Sequence, residues 1–373
     1  MTVSYQPKFE RSAAVLRNIT EASSLRAWIE QQAIDVSWIA RGQRDALVRL
    51  AHYSTRIEGN PLTLPEVEAL AAGKDLPVGE RAKREVLNYF AALRWIWRES
   101  SAHRVDEKDL LHLHAILTQG LLPKDEAGCY KTKPNAVFGR GRILYKPPPP
   151  EAAAILTQAL LRWLDSGGAK AEHPVISAAI AHHRLVSIHP FMDGNGRMAR
   201  ALESWILYRR GFDTHHIFAL DEYFDTEREK YYREIQTVRG QEDDLTPWLE
   251  YVSEGVLETL RKTRIRIQSL RAKGPVGKIT LNLQQERIVQ ILSQNPPLGG
   301  GFSSHFFKPA CQRASIFPPC VGFALTRLEP CADLVDLAQR DRAIRRHSFG
   351  DERRVRPHEI ARELLDPATA RHY

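Results

Sequence analysis

Apolar residues recur at three- and four-residue spacing through most of the first 260 positions, with few β-branched runs, which predicts an almost wholly helical region. RDALVRLAHYSTRIEG reads as one helix, stopped by Gly59, Asn60 and Pro61. Thr63 and Glu66 have the spacing of a capping box around Pro65, so PEVEALAA should open a further helix that Gly73 ends. GERAKREVLNYFAALRWIWRES and EKDLLHLHAILTQGLL continue the series. The pattern breaks at YKTKPNAVFGRGRILYKPPPP, where two short extended pieces flank Gly139-Arg140-Gly141 and four prolines follow; this predicts a β-hairpin with a rigid exit. Helices resume at EAAAILTQALLRWLDSG and HPVISAAIAHHRLVSI. The second is apolar nearly all round from Val175 to Ile188, which predicts a place at the centre of a bundle. An amphipathic helix should then begin near Asn195 and run to Gly211.

Composition narrows the class. A chain of 373 residues has room for two or three domains, and 43% hydrophobic with 26% charged residues is ordinary for a globular protein. The start, MTVSYQPKFERSAAVL, lacks a signal-peptide pattern, and no run approaches the roughly 18 apolar residues of a membrane span, so a cytoplasmic protein without membrane contact is expected. Cys129, Cys311, Cys320 and Cys331 form no CxxC pair and no zinc spacing, and read as free thiols. The net charge of +8 is unevenly spread: residues 261–373 hold 20 Lys and Arg against 10 Asp and Glu, and residues 1–260 hold 33 against 35. A basic C-terminal third suits a polyanion such as DNA, and equally a solvated basic surface.

The densest chemistry lies in HPFMDGNGRMAR, His189 to Arg200. Pro190 ends the preceding helix, Gly194 and Gly196 free the backbone, and a new helix starts at once, so the loop abuts a helix N-terminus whose unpaired N–H groups form an anion site. Arg197 and Arg200 share a face near that opening and suit phosphate oxygens. Asp193 is placed to hold a Mg²⁺ that bridges phosphates, and His189 can take a proton from an incoming hydroxyl. Each feature has a plainer explanation: a histidine ending an apolar helix is more often structural, GNG marks any turn, and Arg200 could pair with Glu203 along its helix. Their conjunction within twelve residues outweighs these.

The stretch resembles the signature of the Fic family, HPFx[DE]GNGRxxR, which His189, Pro190, Phe191, Asp193, Gly194, Asn195, Gly196, Arg197 and Arg200 all match; the likeness covers roughly residues 40–260. It implies a mainly α fold, a Fic-type helical bundle with a small β-hairpin flap. It also implies transfer of AMP from ATP to a Ser, Thr or Tyr hydroxyl of a protein. By the resemblance His189 is the general base and Asp193 the Mg²⁺ ligand. Gly194, Asn195 and Gly196 form the anion hole, Arg197 and Arg200 hold the β- and γ-phosphates, and Ala136, Val137 and Phe138 offer the flap edge to the target. STRIEG, Ser54 to Gly59, fits the inhibitory pattern [ST]xxxE[GN], with Ser54 and Glu58 on one helical face. If that helix docks on the site, the Glu58 carboxylate should lie within about 6 Å of Arg200. Tyr232 matches a position where relatives pack an aromatic ring on adenine, while Arg239 stands where some have an adenine-contacting Asn.

The domains expected are residues 1–105 with an inhibitory helix at about 46–59, a Fic catalytic domain at 106–260, and a basic region at 261–373. In the last, LQQERIVQILSQNP resembles the opening helix of a winged-helix module, yet the Gly, Pro, Ser and Cys-rich stretch after it shows no helix-turn-helix, so a degenerate or divergent module is expected. The partners implied are ATP, a protein hydroxyl (the chain's own included), and DNA held weakly; a homodimer is open, because the sequence does not set the oligomeric state. Two functional classes follow: a protein adenylyltransferase restrained by Glu58, with another nucleotide or phosphodiester donor as its variant, or a nucleotide-sensing DNA-binding regulator with little enzymatic activity.

Overall fold

A computed structural model describes residues 3–31, 36–99, 104–139, 141–212 and 215–272 of the chain. The winged-helix-like segment and most of the basic region lie outside these residues, as do Arg140 and the expected DNA contact. The elements run α1 (Ala13–Glu30), α2 (Val36–Ile57), α3 (Leu64–Ala71), α4 (Glu80–Glu99), α5 (Glu107–Thr118), β1 (Val137–Gly139), β2 (Arg142–Tyr145), α6 (Pro150–Asp165), α7 (Gly167–Ala171), α8 (Pro174–Ile188), α9 (Asn195–Arg209), α10 (Asp221–Thr226), α11 (Arg228–Gly240) and α12 (Thr246–Ala272). The fold is mainly α, a helical bundle with one hairpin. Among the described residues no helix is long and apolar enough to cross a membrane.

The all-round apolar helix is central, as its pattern predicts. Every residue of α8 from Val175 to Ile188 is buried except Arg184, and the helix packs on α9, α12 and α6. Trp248 of α12 is fully buried beside it and donates its ring N–H to the Ala179 carbonyl at 2.8 Å, so its single polar atom is satisfied. Replacing such a residue with alanine costs about 3–5 kcal/mol.

Local signals fix the connections. Glu66 accepts the Thr63 amide at 2.7 Å, the back half of the expected capping box. Gly59, at φ +94°, ends α2 where the sequence stops it. Asn60 then ties that end to α4 through the Ala82 carbonyl (3.0 Å) and Glu85 (2.8 Å). The hairpin is antiparallel, pairing Gly139 with Arg142 and Phe138 with Ile143, and an irregularity lets Val137 pair with Tyr145.

Two expectations are corrected. The helix after the motif is not amphipathic: Asn195 and every residue from Arg197 to Tyr208 is buried, because α9 is enclosed by α8, α4, α5 and α2. Its arginines and Glu203 are thus interior groups rather than a solvated face. The division drawn at 260 falls inside α12, which packs along α1 and keeps Leu260, Thr263 and Ile267 buried.

Candidate active site

The site starts from one missing N–H. At the end of α8 the Leu185 carbonyl accepts the His189 amide at 2.9 Å, but the Val186 carbonyl would next meet residue 190, a proline with nothing to donate. His189 adopts the left-handed conformation, φ 50°, and turns its ring back so that Nδ1 lies 3.2 Å from that carbonyl. A carbonyl only accepts, so Nδ1 carries the proton and Nε2 keeps a bare lone pair. Burial pushes the imidazole down to about 4, with Lys131 and Arg239 adding to the effect and the Val186 carbonyl and Glu58 opposing it. The ring is therefore neutral at neutral pH and able to take a proton.

The loop from Pro190 to Gly194 is clamped on every side. Phe191 is fully buried and stacks on His114 with ring centroids 3.7 Å apart. His114 accepts the Gly128 amide on Nδ1 (3.0 Å), which makes Nε2 the donor to the Asp193 carbonyl (3.0 Å). The Lys131 amide donates to Pro190 O (2.8 Å) and Asn135 to Phe191 O (2.9 Å). Asn195 spends both ends of its side chain on Phe191, accepting its amide at 3.0 Å and donating to its carbonyl at 2.8 Å. Gly194 sits at φ +79°, and a Cβ there would press to 3.1 Å from Thr118. The amides that follow belong to the first turn of α9, which has no intrahelical acceptors.

Arg200 is fully engaged by protein. Its Nε donates to Ser54 Oγ at 2.8 Å, and one terminal nitrogen donates to Ser54 O at 2.8 Å and to Glu58 Oε1 at 2.7 Å. The other reaches the Tyr231 hydroxyl at 3.3 Å. Its pairing with Glu203 does not occur; Glu203 bonds His182 at 2.7 Å, and His182 bonds Tyr231 at 2.9 Å. Glu58 Oε1 also lies directly over Gly196, where a Cβ would collide with it. Arg197 is the opposite case: it is 3% exposed, two of its guanidinium nitrogens have no hydrogen-bond partner, and the third is 3.6 Å from Asp193. Asp193 caps the Gly194 amide with Oδ1 at 2.6 Å and leaves its side chain about half exposed.

Around the opening, Tyr232 is partly exposed and donates its hydroxyl to the Ile57 carbonyl at 3.1 Å. Ala136 precedes β1, Val137 is half-buried, and Phe138 is 70% exposed on the hairpin, whose Tyr145 donates to the Ser187 carbonyl at 2.9 Å. Arg239 turns to the end of α8 and the Tyr145 ring. His114, Lys131, Asn135, Tyr231 and His182 shape the site without having been singled out in the sequence. His114 carried a signal, a polar ring on the buried face that also bears Leu110, Leu113 and Leu117. Lys131 and Asn135 sit in a loop with no periodicity to mark them.

Residues 104–207 match the family model described as the Fic/DOC family. Protein adenylyltransferase Fic of Drosophila melanogaster is 30% identical over 261 residues, which cover 69% of this chain and 50% of that protein. The chain thus spans about half the length of the curated relatives it matches. A Fic family protein from Desulfovibrio desulfuricans G20 aligns with a TM-score of 0.63 at 27% identity, covering 83% of this chain and 86% of its own. Fic-1 from C. elegans aligns at 0.59 and 26% identity, over 69% and 74% respectively. The HPFMDGNGRMAR corner, the helices that hold it and these likenesses agree: the chain carries a Fic domain and belongs to the Fic/DOC family.

Proposed function

We propose that the protein is an adenylyltransferase that moves AMP from ATP to a protein hydroxyl and is restrained by Glu58. The observation that carries this reading is a neutral, tautomerically fixed His189 beside an anion site whose Arg197 still has two buried, unpartnered nitrogens. Such nitrogens are costly to leave unmade, and phosphate oxygens satisfy them with forked geometry. The relatives' name, protein adenylyltransferase, supports the choice of nucleotide chemistry.

In the reaction the target hydroxyl gives its proton to His189 Nε2 as its oxygen attacks the α-phosphorus. The bond from that phosphorus to the bridging oxygen breaks, and its electrons leave with pyrophosphate. Positioning and charge neutralisation carry most of this kind of transfer. Among the described residues no cluster of three metal-ligating side chains exists, and Asp193 stands half-exposed as a lone carboxylate on the loop. That suits Mg²⁺ arriving with the nucleotide, since Mg²⁺ commonly takes one protein carboxylate and fills its shell with phosphate and water. Bound there by Asp193, it would neutralise phosphate charge.

Restraint follows from the same geometry. Glu58 sits on Gly196 and occupies Arg200, so a carboxylate stands where a terminal phosphate would be received. Nucleotide could then bind only in a pose misaligned for attack. Incubation with α-labelled ATP and Mg²⁺ tests the proposal: label should enter protein with Glu58→Gly and fail to enter with Glu58→Gly/His189→Ala, whose loss of the base costs about 10² to 10⁴ in rate. Equal labelling of both would remove His189 from the mechanism, and none with either would argue for a binding protein.

A further inference from the structure

Arg239 is a half-buried cation that neither the phosphate site nor the inhibitory segment uses. Its terminal nitrogen donates to the Val186 carbonyl at 3.1 Å, the same oxygen that fixes the His189 ring, and its Nε reaches Ser187 Oγ at 3.4 Å. Its guanidinium carbon lies 3.6 Å from the centroid of the Tyr145 ring, and Tyr145 donates to the Ser187 carbonyl beside it. Among the described residues no carboxylate comes within ion-pair distance of it, and burial draws it down to about 10. What compensates the charge is the carbonyl end of α8, an aromatic face and hydrogen bonds.

Two surfaces of the reaction meet at this side chain. Upstream is the carbonyl that chooses the His189 tautomer. Downstream is Tyr145, which ends β2 and pairs with Val137 on the β1 edge where an extended target segment would align. The relative position of base and acceptor hydroxyl therefore passes through one guanidinium. We propose that Arg239 is a positioning residue for transfer: it locks the Val186 carbonyl and the Tyr145 end of the flap together, so that His189 Nε2 and a flap-bound hydroxyl are held in reacting geometry. This rests on His189 acting as the base.

A residue that merely capped α8 would change melting and little else. The test therefore follows the His189 ring directly by ¹⁵N-imidazole NMR on the full chain, its signal identified by loss in His189→Gln. Wild type should show one Nδ1–H tautomer. In Arg239→Met the tautomers should mix and the ring should titrate at higher pH, since a neighbouring cation is gone; Lys131 and Glu58, the other charged groups acting on the ring, are unchanged. Arg239→Lys keeps the charge but loses the fork and the ring stacking, so it should restore the titration without restoring transfer. In the Glu58→Gly background it should lower kcat for a protein acceptor about tenfold to a hundredfold with little change in KM for ATP, the signature of misplaced rather than unbound groups. If Arg239→Met does not fold, Tyr145→Phe and Arg239→Lys carry the same measurements. An unchanged His189 tautomer and titration in a folded Arg239→Met, or full kcat in Arg239→Lys, overturns the proposal. Failure of the underlying reading looks different: Glu58→Gly itself would transfer nothing while the ring still responded to Arg239.

Discussion

Two arginines three residues apart on α9 have opposite surroundings. Every donor face of Arg200 is met by Ser54, Glu58 or Tyr231, whereas Arg197 is buried with two nitrogens unmet. They share a helix turn, nearly the same burial and the same charge, so the contrast comes from what stands opposite. The end of α2 delivers a serine, a carbonyl and a carboxylate to one of them, and only Asp193 approaches the other. On the proposed function, one half of the site is filled by protein and the other would take a ligand.

Stability should separate the two most sharply. Arg200→Met leaves buried Ser54 without its donor and removes the cation from Glu58 in a partly closed pocket; unmet buried groups and a lost charged hydrogen bond of this kind cost about 1–3 kcal/mol. Arg197→Met removes two nitrogens that nothing satisfies, along with a loose 3.6 Å contact to half-exposed Asp193, and replaces them with apolar volume, so it should be neutral or stabilising by up to about 1 kcal/mol. Denaturant unfolding of the two variants checks this, and equal destabilisation would mean that Arg197 has protein partners after all. Nucleotide affinity should invert the order, with Arg197→Met losing ATP and Arg200→Met changing it less while Glu58 is present.

Acid should also act unequally. Burial holds His114 at about 4, below an unfolded value near 6.5, so between those values the unfolded chain binds the extra proton and stability is lost as pH falls. For His114 the loss reaches on the order of 2 kcal/mol by pH 5, and His189, also at about 4, shifts in the same direction. Behind Arg200 the signs are mixed. Burial raises Glu203 to about 8 and Asp221 to about 6, so acid favours the folded form of both, while His182 at about 3 opposes them. Hydrogen exchange at pH 7 and pH 5 should therefore show the motif loop opening more at low pH while α9 beyond Arg200 changes little. Loosening of both regions by the same amount would contradict the assignment.

How much of this was written in the sequence depends on how local the cause is. The helix stops at Gly59, the capping box at Thr63, the hairpin and the central place of α8 are set by near neighbours and apolar periodicity, and the sequence reads them directly. Proline at 190 likewise dictates a helix end. What the sequence does not carry is enclosure: α9 reads as amphipathic because its arginines and Glu203 are charged, and only the surrounding helices make them interior. The same holds for Asn195, whose side chain is bonded twice to Phe191, and for Arg239, whose partners are 53 and 94 positions away in sequence. The approach of Glu58 to Arg200, 2.7 Å in the structure, was expected to within about 6 Å from a motif resemblance rather than from either residue's own neighbourhood.

Removing the carboxylate tests what the filled half does. A charge-assisted pair in a partly closed pocket is worth about 1.5–3 kcal/mol, so Glu58→Gly should raise Mg²⁺-dependent AMP transfer tenfold or more, at about 1.4 kcal/mol per decade. The measurement is label incorporation with target present. A rate equal to wild type would leave the ion pair as structure only.

The smallest expected effect is at Tyr232, and it asks whether the α2 end is held by more than Glu58. The Tyr232 hydroxyl donates to Ile57 O, one of the last-turn carbonyls that a helix cannot satisfy itself. Because the side chain is partly exposed, water can replace that bond, so its loss should cost about 0.5–1 kcal/mol of the docked state, the low end for a neutral hydrogen bond. Tyr232→Phe keeps the ring, and with it any stacking on a nucleotide base, so KM for ATP should hold while transfer rises about two- to fivefold. In the Glu58→Gly background the same change should add nothing, because the restraint it loosens is already gone, and a double-mutant cycle reads that difference directly. If Tyr232→Phe gives the same gain in both backgrounds, the hydroxyl acts elsewhere than through the inhibitory segment. If it lowers transfer in both, the hydroxyl belongs with the ligand-facing half of the site, and the division drawn between Arg197 and Arg200 would have to be redrawn to put Tyr232 on the other side.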